Sequence, residues 1–71
     1  MPKTTYADAV IGPRRVGGTY FCGYWSMEYT VVSIALDEST GIPWITVRWT
    51  VDGRHSTHST AWDVKRDRVI A

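Results

Sequence analysis

The stretch from Trp44 to Gly53 constrains the fold more than any other. Ile45, Val47, Trp49 and Val51 alternate with Trp44, Thr46, Arg48 and Thr50. A period of two belongs to a strand with one dry face and one wet face. Asp52-Gly53 follows at once, the pair favoured where a two-residue hairpin loop needs positive φ. The chain is therefore expected to return as a partner strand from Arg54 to about Trp62. With Val51 opposite Arg54, Thr50 faces His55 and Val47 faces His58. That register puts His58 on the core face, as a hydrogen-bonded structural residue, and His55 on the face of Arg48. The returning strand is polar and has little to bury, which suits a sheet edge or the side of a groove.

Three further strands follow from pattern and punctuation. Gly17-Gly18 opens one over Thr19 to Trp25, with Gly23 expected at a bulge or sharp bend. A second runs from Glu28 to Leu36, where Thr30, Val32, Ile34 and Leu36 form the more apolar set and are expected to face the core. Residues 37–41 make a polar turn ending in Gly41. Asp63 to Asp67 reads as a single turn, and Arg68 to Ile70 as a short closing strand. Residues 1–15 show no sustained period and are interrupted by Gly12-Pro13. They read as a partly ordered N-terminal arm, with Tyr6, Val10 and Ile11 able to dock on the core, ahead of a β domain over residues 16–71.

Five strands in so few residues must curl on themselves or leave edges unpaired. Gly18-Thr19-Tyr20 opening the first strand, the Val51-Asp52-Gly53-Arg54 hairpin and the closing Asp67-Arg68-Val69-Ile70 together resemble the SH3-like small barrels, including Tudor and KOW-type modules. The resemblance covers residues 17–71. It implies an all-β, five-stranded SH3-like barrel and a role in binding, with strand-end aromatics available as a recognition surface. In composition the chain is also similar to small proteins of high-GC actinobacteria and their phages.

At 71 residues there is room for one core, and a chain this short buries only about 60% of its unfolded surface. Cys22 is the only cysteine, so no intramolecular disulfide can form and no cysteine cluster offers a zinc site. Four Trp, four Tyr and one Phe supply large buried areas instead. Trp25, Trp49 and Trp62 are assigned to the core, leaving Trp44, Tyr24 and Tyr29 freer to face outward. Dimerisation, the other remedy for a small core, is compatible with this composition. No apolar run approaches the roughly 20 residues that span a membrane. Met1 to Thr5 leads into no apolar segment, and with a free cysteine this points to the cytoplasm.

Catalysis is disfavoured. Positions three apart on a strand point to opposite faces, so His55 and His58 cannot chelate one metal directly. Ser56, Thr57, Ser59 and Thr60 lie near histidines and aspartates, but no nucleophile elbow or oxyanion-hole glycines accompany them. The expectation is a non-catalytic binding module without metal or cofactor, accessory or regulatory, whose partner is another protein. Trp44, Arg48, His55 and Thr57 would form its surface. The alternative is nucleic acid, held by Arg14, Arg15, Lys65, Arg66 and Arg68 with Tyr24 stacking on bases. Both chain ends carry a balance of +2 around a middle of −3, and Arg outnumbers Lys six to two, which favours bidentate contacts. A total of only +1 nevertheless falls short of a dedicated nucleic-acid binder.

Overall fold

A computed structural model describes residues 5–71, in the order α1 (Tyr6–Ile11), β1 (Thr19–Cys22), β2 (Met27–Leu36), β3 (Pro43–Trp49), β4 (His55–His58) and β5 (Arg68–Val69). The five strands form one antiparallel sheet in the order β4-β3-β2-β1-β5. β4 and β5 are its two edges, so the sheet is not closed. No helix among the described residues is long and apolar enough to cross a membrane.

β3 follows its alternation: Ile45 and Val47 are fully buried and Trp49 packs against them. Val51 lies beyond the strand and is exposed. β2 corrects its expected face. Tyr29 and Val31 are buried, whereas Val32 and Leu36 are exposed. The register runs Val31↔Val47 and then Ser33↔Thr46, so Val32 is an extra residue in a β-bulge. A bulge reverses the alternation of everything beyond it. Ile34, on the far side, does turn back to the core opposite Ile45.

The β3–β4 hairpin also differs from the two-residue loop expected at Asp52-Gly53. Trp49 donates its N–H to the Arg54 carbonyl at 2.8 Å, and the Gly53 N–H returns to the Trp49 carbonyl at 2.8 Å. The loop is thus four residues, Thr50 to Gly53. Thr50 donates across to the Glu28 carbonyl at 3.0 Å, and Asp52 Oδ1 accepts from the Arg54 N–H at 2.9 Å. Gly53, at φ +72°, supplies the one left-handed residue the loop requires. His58 opposes Ile45 and His55 opposes Arg48. The slip is two residues, an even number, so each histidine keeps its expected face.

Residues 5–15 form a short helix and a turn docked on the sheet; Lys3, part of the N-terminal basic balance, lies outside the described residues. Thr5 Oγ1 accepts from the Asp8 N–H at 3.0 Å and Asp8 Oδ2 accepts from the Thr5 N–H at 3.4 Å, a reciprocal cap of the kind that fixes helix starts. Val10 is buried and Ile11 packs on the core, while Tyr6 is exposed. Arg14 holds this turn in place. Its Nε donates to the Ile11 carbonyl at 3.1 Å, and its Nη2 to the carbonyls of Val10 and Thr60, both at 2.7 Å. The guanidinium lies 5.8 Å from the Trp62 ring centroid.

Four rings run through the core in sequence. Trp62 meets Tyr20 edge-on at 5.8 Å, Tyr20 meets Tyr29 at 5.8 Å, and Tyr29 meets Trp49 at 5.4 Å. Each such pair contributes about 0.5–1.5 kcal/mol beyond area burial. The expectation that Tyr29 faces outward is therefore overturned: it is 3% exposed. β1 stops at Cys22, three residues short of the expected Trp25. Gly23 is pressed against the Arg66 backbone, closer than any Cβ allows, and donates its N–H to Asp67 Oδ1 at 3.0 Å. It marks a close approach of backbone at the start of the turn over residues 23–26, the sharp bend rather than the bulge of the two expected alternatives.

Candidate functional site

The end of β1 at Gly23 releases the next two residues from the sheet. Tyr24 and Trp25 are 72% and 62% exposed, in T-shaped contact at 5.0 Å. Ser26 then takes a positive φ of 55°, which turns the chain into β2. The assignment of Trp25 to the core is thus overturned. Tyr24 and Trp25 stand at the rim of a pocket of about 290 Å³. Trp49 and Tyr29 line it from the sheet, His58 and Thr60 from β4 and the segment beyond, and Arg14 and Asp67 from the chain's two end segments. A shallower hollow of about 340 Å³ continues from Trp25, Trp49 and His58 to Met27 and Ser56.

Several of these groups are held rigidly. Trp49 Nε1 donates to Ser56 Oγ at 2.8 Å, fixing the indole across the hairpin. Asp67 Oδ1 accepts from Gly23 and Oδ2 from the Asp63 N–H at 2.9 Å. Burial raises the Tyr29 hydroxyl above its ordinary range, with the nearby Arg14 charge pulling part of the way back. The phenol therefore stays protonated. Burial, then the Arg14 charge, hold His58 below its ordinary value of 6.5, so its ring is neutral at pH 7. Its Nδ1 is enclosed without a hydrogen-bond partner among the described residues, which departs from the hydrogen-bonded role expected of it.

A neutral, half-buried histidine has a consequence for stability. The folded chain resists a proton that the unfolded chain accepts near pH 6.5. Its contribution is present in full above that value and is lost as pH falls through it toward the lower folded value. Urea titrations from pH 7.5 to 5 are expected to show a smaller loss of stability in His58→Gln than in the parent. Equal losses would mean that His58 is not the group responsible.

The residues expected to bind protein do gather on one surface. Trp44, Arg48, His55 and Thr57 are all exposed. Arg48 opposes His55, and Thr57 bonds through its hydroxyl to Thr46 at 2.9 Å. This surface lies on the opposite side of β3 and β4 from the pocket, since Trp49 and His58 alternate with its members. The residues expected to bind nucleic acid divide. Arg14 is only 6% exposed and is committed to three carbonyl bonds, so it cannot meet a phosphate on the outer surface. Arg15 lies near Val69 and Ala71, Arg68 opposes Phe21, and Arg66 sits against Gly23. These three and Lys65 are exposed, and Arg66 pairs with Asp63 at 3.8 Å. Tyr24 stands at the pocket rim.

Sequence reasoning missed Trp25, Cys22 and Asp67 as neighbours in a pocket. The available signal was Gly23 ahead of two adjacent aromatics, a strand stop followed by rings with no core position to fill. No protein-family model, curated protein or solved structure matches the chain.

Proposed function

We propose that this chain is a small non-catalytic binding module, accessory or regulatory, that takes a side chain of a protein partner into the pocket beneath Tyr24 and Trp25. The observation that carries this reading is the pair of largely exposed rings over a preformed aromatic hollow. Buried aromatic anchors dominate the energy of protein interfaces, and a groove continuing past Met27 and Ser56 suits an extended segment. The five strands in the order β4-β3-β2-β1-β5 support a kinship of architecture with the SH3-like barrels, in an open form.

Selection from a displayed peptide library tests it. The parent protein is expected to enrich a sequence family, and Trp25→Ala to lose at least tenfold in binding to it. The substitution is on the surface, so stability is expected to shift by no more than about 0.5 kcal/mol. No enrichment by the parent, or the same enrichment by Trp25→Ala, would sink the reading. The exposure of Arg15, Lys65, Arg66 and Arg68 favours a second reading, nucleic-acid binding. A gel shift with mixed-sequence DNA or RNA at low salt, weakening steeply with salt and indifferent to Trp25→Ala, would put that reading first.

A further inference from the structure

Arg14 is the least expected member of the pocket wall. It is 6% exposed, a buried cation in a chain whose other described arginines are all exposed. Buried charges are normally paired, because removing an ion from water costs several kcal/mol unless an opposite charge compensates. Among the described residues the ion pairs are Arg54 with Asp52 and Arg66 with Asp63. The described residues include every Asp and Glu of the chain, and none of them lies within ion-pair distance of Arg14. Asp67 shares the pocket wall, but both of its oxygens accept from backbone N–H groups.

The donors of Arg14 give the direction. Nε and Nη2 are committed to the carbonyls of Ile11, Val10 and Thr60. These bonds lock the guanidinium plane and satisfy donors, but carbonyls bring no net charge. Nη1 makes none of these bonds, and Arg14 lines the pocket. Tyr29, His58 and the aromatic walls around it carry no negative charge, and Asp67 is the one anionic group of the lining.

We propose that the pocket recognises a carboxylate carried beside an apolar side chain of the partner, with Arg14 Nη1 donating to the carboxylate and Trp25 and Trp49 flanking the apolar group. This rests on reading the pocket as the recognition site. The anion would give Arg14 the ion-pair partner that Asp67, across the pocket wall and beyond ion-pair distance, does not supply. The arginine is held in place beforehand by its three carbonyl bonds, so little side-chain freedom is lost on binding. Charge-assisted hydrogen bonds of this type are roughly twice as strong as neutral ones.

The test uses the full chain, the Trp25 and Trp49 indole N–H signals in NMR spectra, and four probes. N-acetyl-phenylalanine carries a terminal carboxylate, and acetyl-phenylalanyl-glutamic acid amide a side-chain carboxylate. Acetyl-phenylalanyl-glutamine amide is the neutral reference, and inorganic phosphate the plain anion. One or both acids are expected to move the indole signals with at least tenfold tighter binding than the neutral reference. Which acid binds tighter identifies the carboxylate's source. Arg14→Met is expected to remove the preference for acids; if that variant does not fold, the comparison on the parent protein still decides. Equal binding of acids and neutral reference overturns the carboxylate while leaving the pocket reading intact. Phosphate binding tighter than either acid at the same signals also overturns it. No response of Trp25 or Trp49 to any probe overturns both.

Discussion

Replacing Tyr20 with Ala is expected to remove a large part of the chain's stability at 25 °C. Tyr20 is 2% exposed and joins the other core rings, with Trp62 on one side and Tyr29 on the other. Removing a buried aromatic ring costs about 3–5 kcal/mol. A domain of this size has about 4–10 kcal/mol in total at the usual stability per residue. The hydroxyl adds a separate effect: it accepts from the Arg15 N–H at 2.7 Å and donates to the Pro13 carbonyl at 3.4 Å. Tyr20→Phe keeps the ring and loses these bonds, so a smaller loss of about 1 kcal/mol is expected. Urea denaturation followed by circular dichroism separates the two. A Tyr20→Ala chain that still unfolds cooperatively near the parent midpoint would show that the ring is not central to the core.

Gly12→Ala is the second large effect, and it works through backbone as well as contact. Gly12 adopts φ 59° and ψ −134° at the end of α1, a conformation that residues with a side chain enter at about 1–3 kcal/mol. A Cβ there would also fall 2.7 Å from Trp62 Cβ, and forcing atoms into a packed site adds about 1–3 kcal/mol more. The expected total is about 3 kcal/mol or greater. Gly41→Ala is the control, since Gly41 has φ +74° with open space around it; its cost should be the backbone part alone, about 1–2 kcal/mol. Chemical denaturation of both variants measures the difference. If Gly12→Ala is no more damaging than Gly41→Ala, Trp62 yields freely and the helix is not clamped to it.

What could be read from the sequence was whatever depended on neighbours along one strand. The dry face of β3 follows from alternation alone. The faces of His55 and His58 survive a wrong loop length because a slip of two residues preserves parity. β2 defeated the same reasoning at Val32, where one extra residue inverts the pattern and no glycine or proline marks the place. α1 is too short to show a helical period, and its only local signal is the Thr5 and Asp8 cap. The pocket was the least legible feature. It exists because Gly23 meets the backbone of Arg66, and because Arg14 reaches Thr60. Both contacts join residues far apart in the chain. The basic character of Arg14 suggested an outer surface; its geometry places it inside.

The open sheet bears on how this protein behaves when concentrated. A net charge of +1 gives little mutual repulsion between molecules. The two free edges are poor templates for a stranger's strand. β5 has only two residues, and β4 has four, His-Ser-Thr-His, with no apolar side chain to seed a dry contact. Short, polar edges of this kind discourage sheet-to-sheet growth. Protection against sheet-to-sheet growth thus rests on the length and chemistry of two strands rather than on charge.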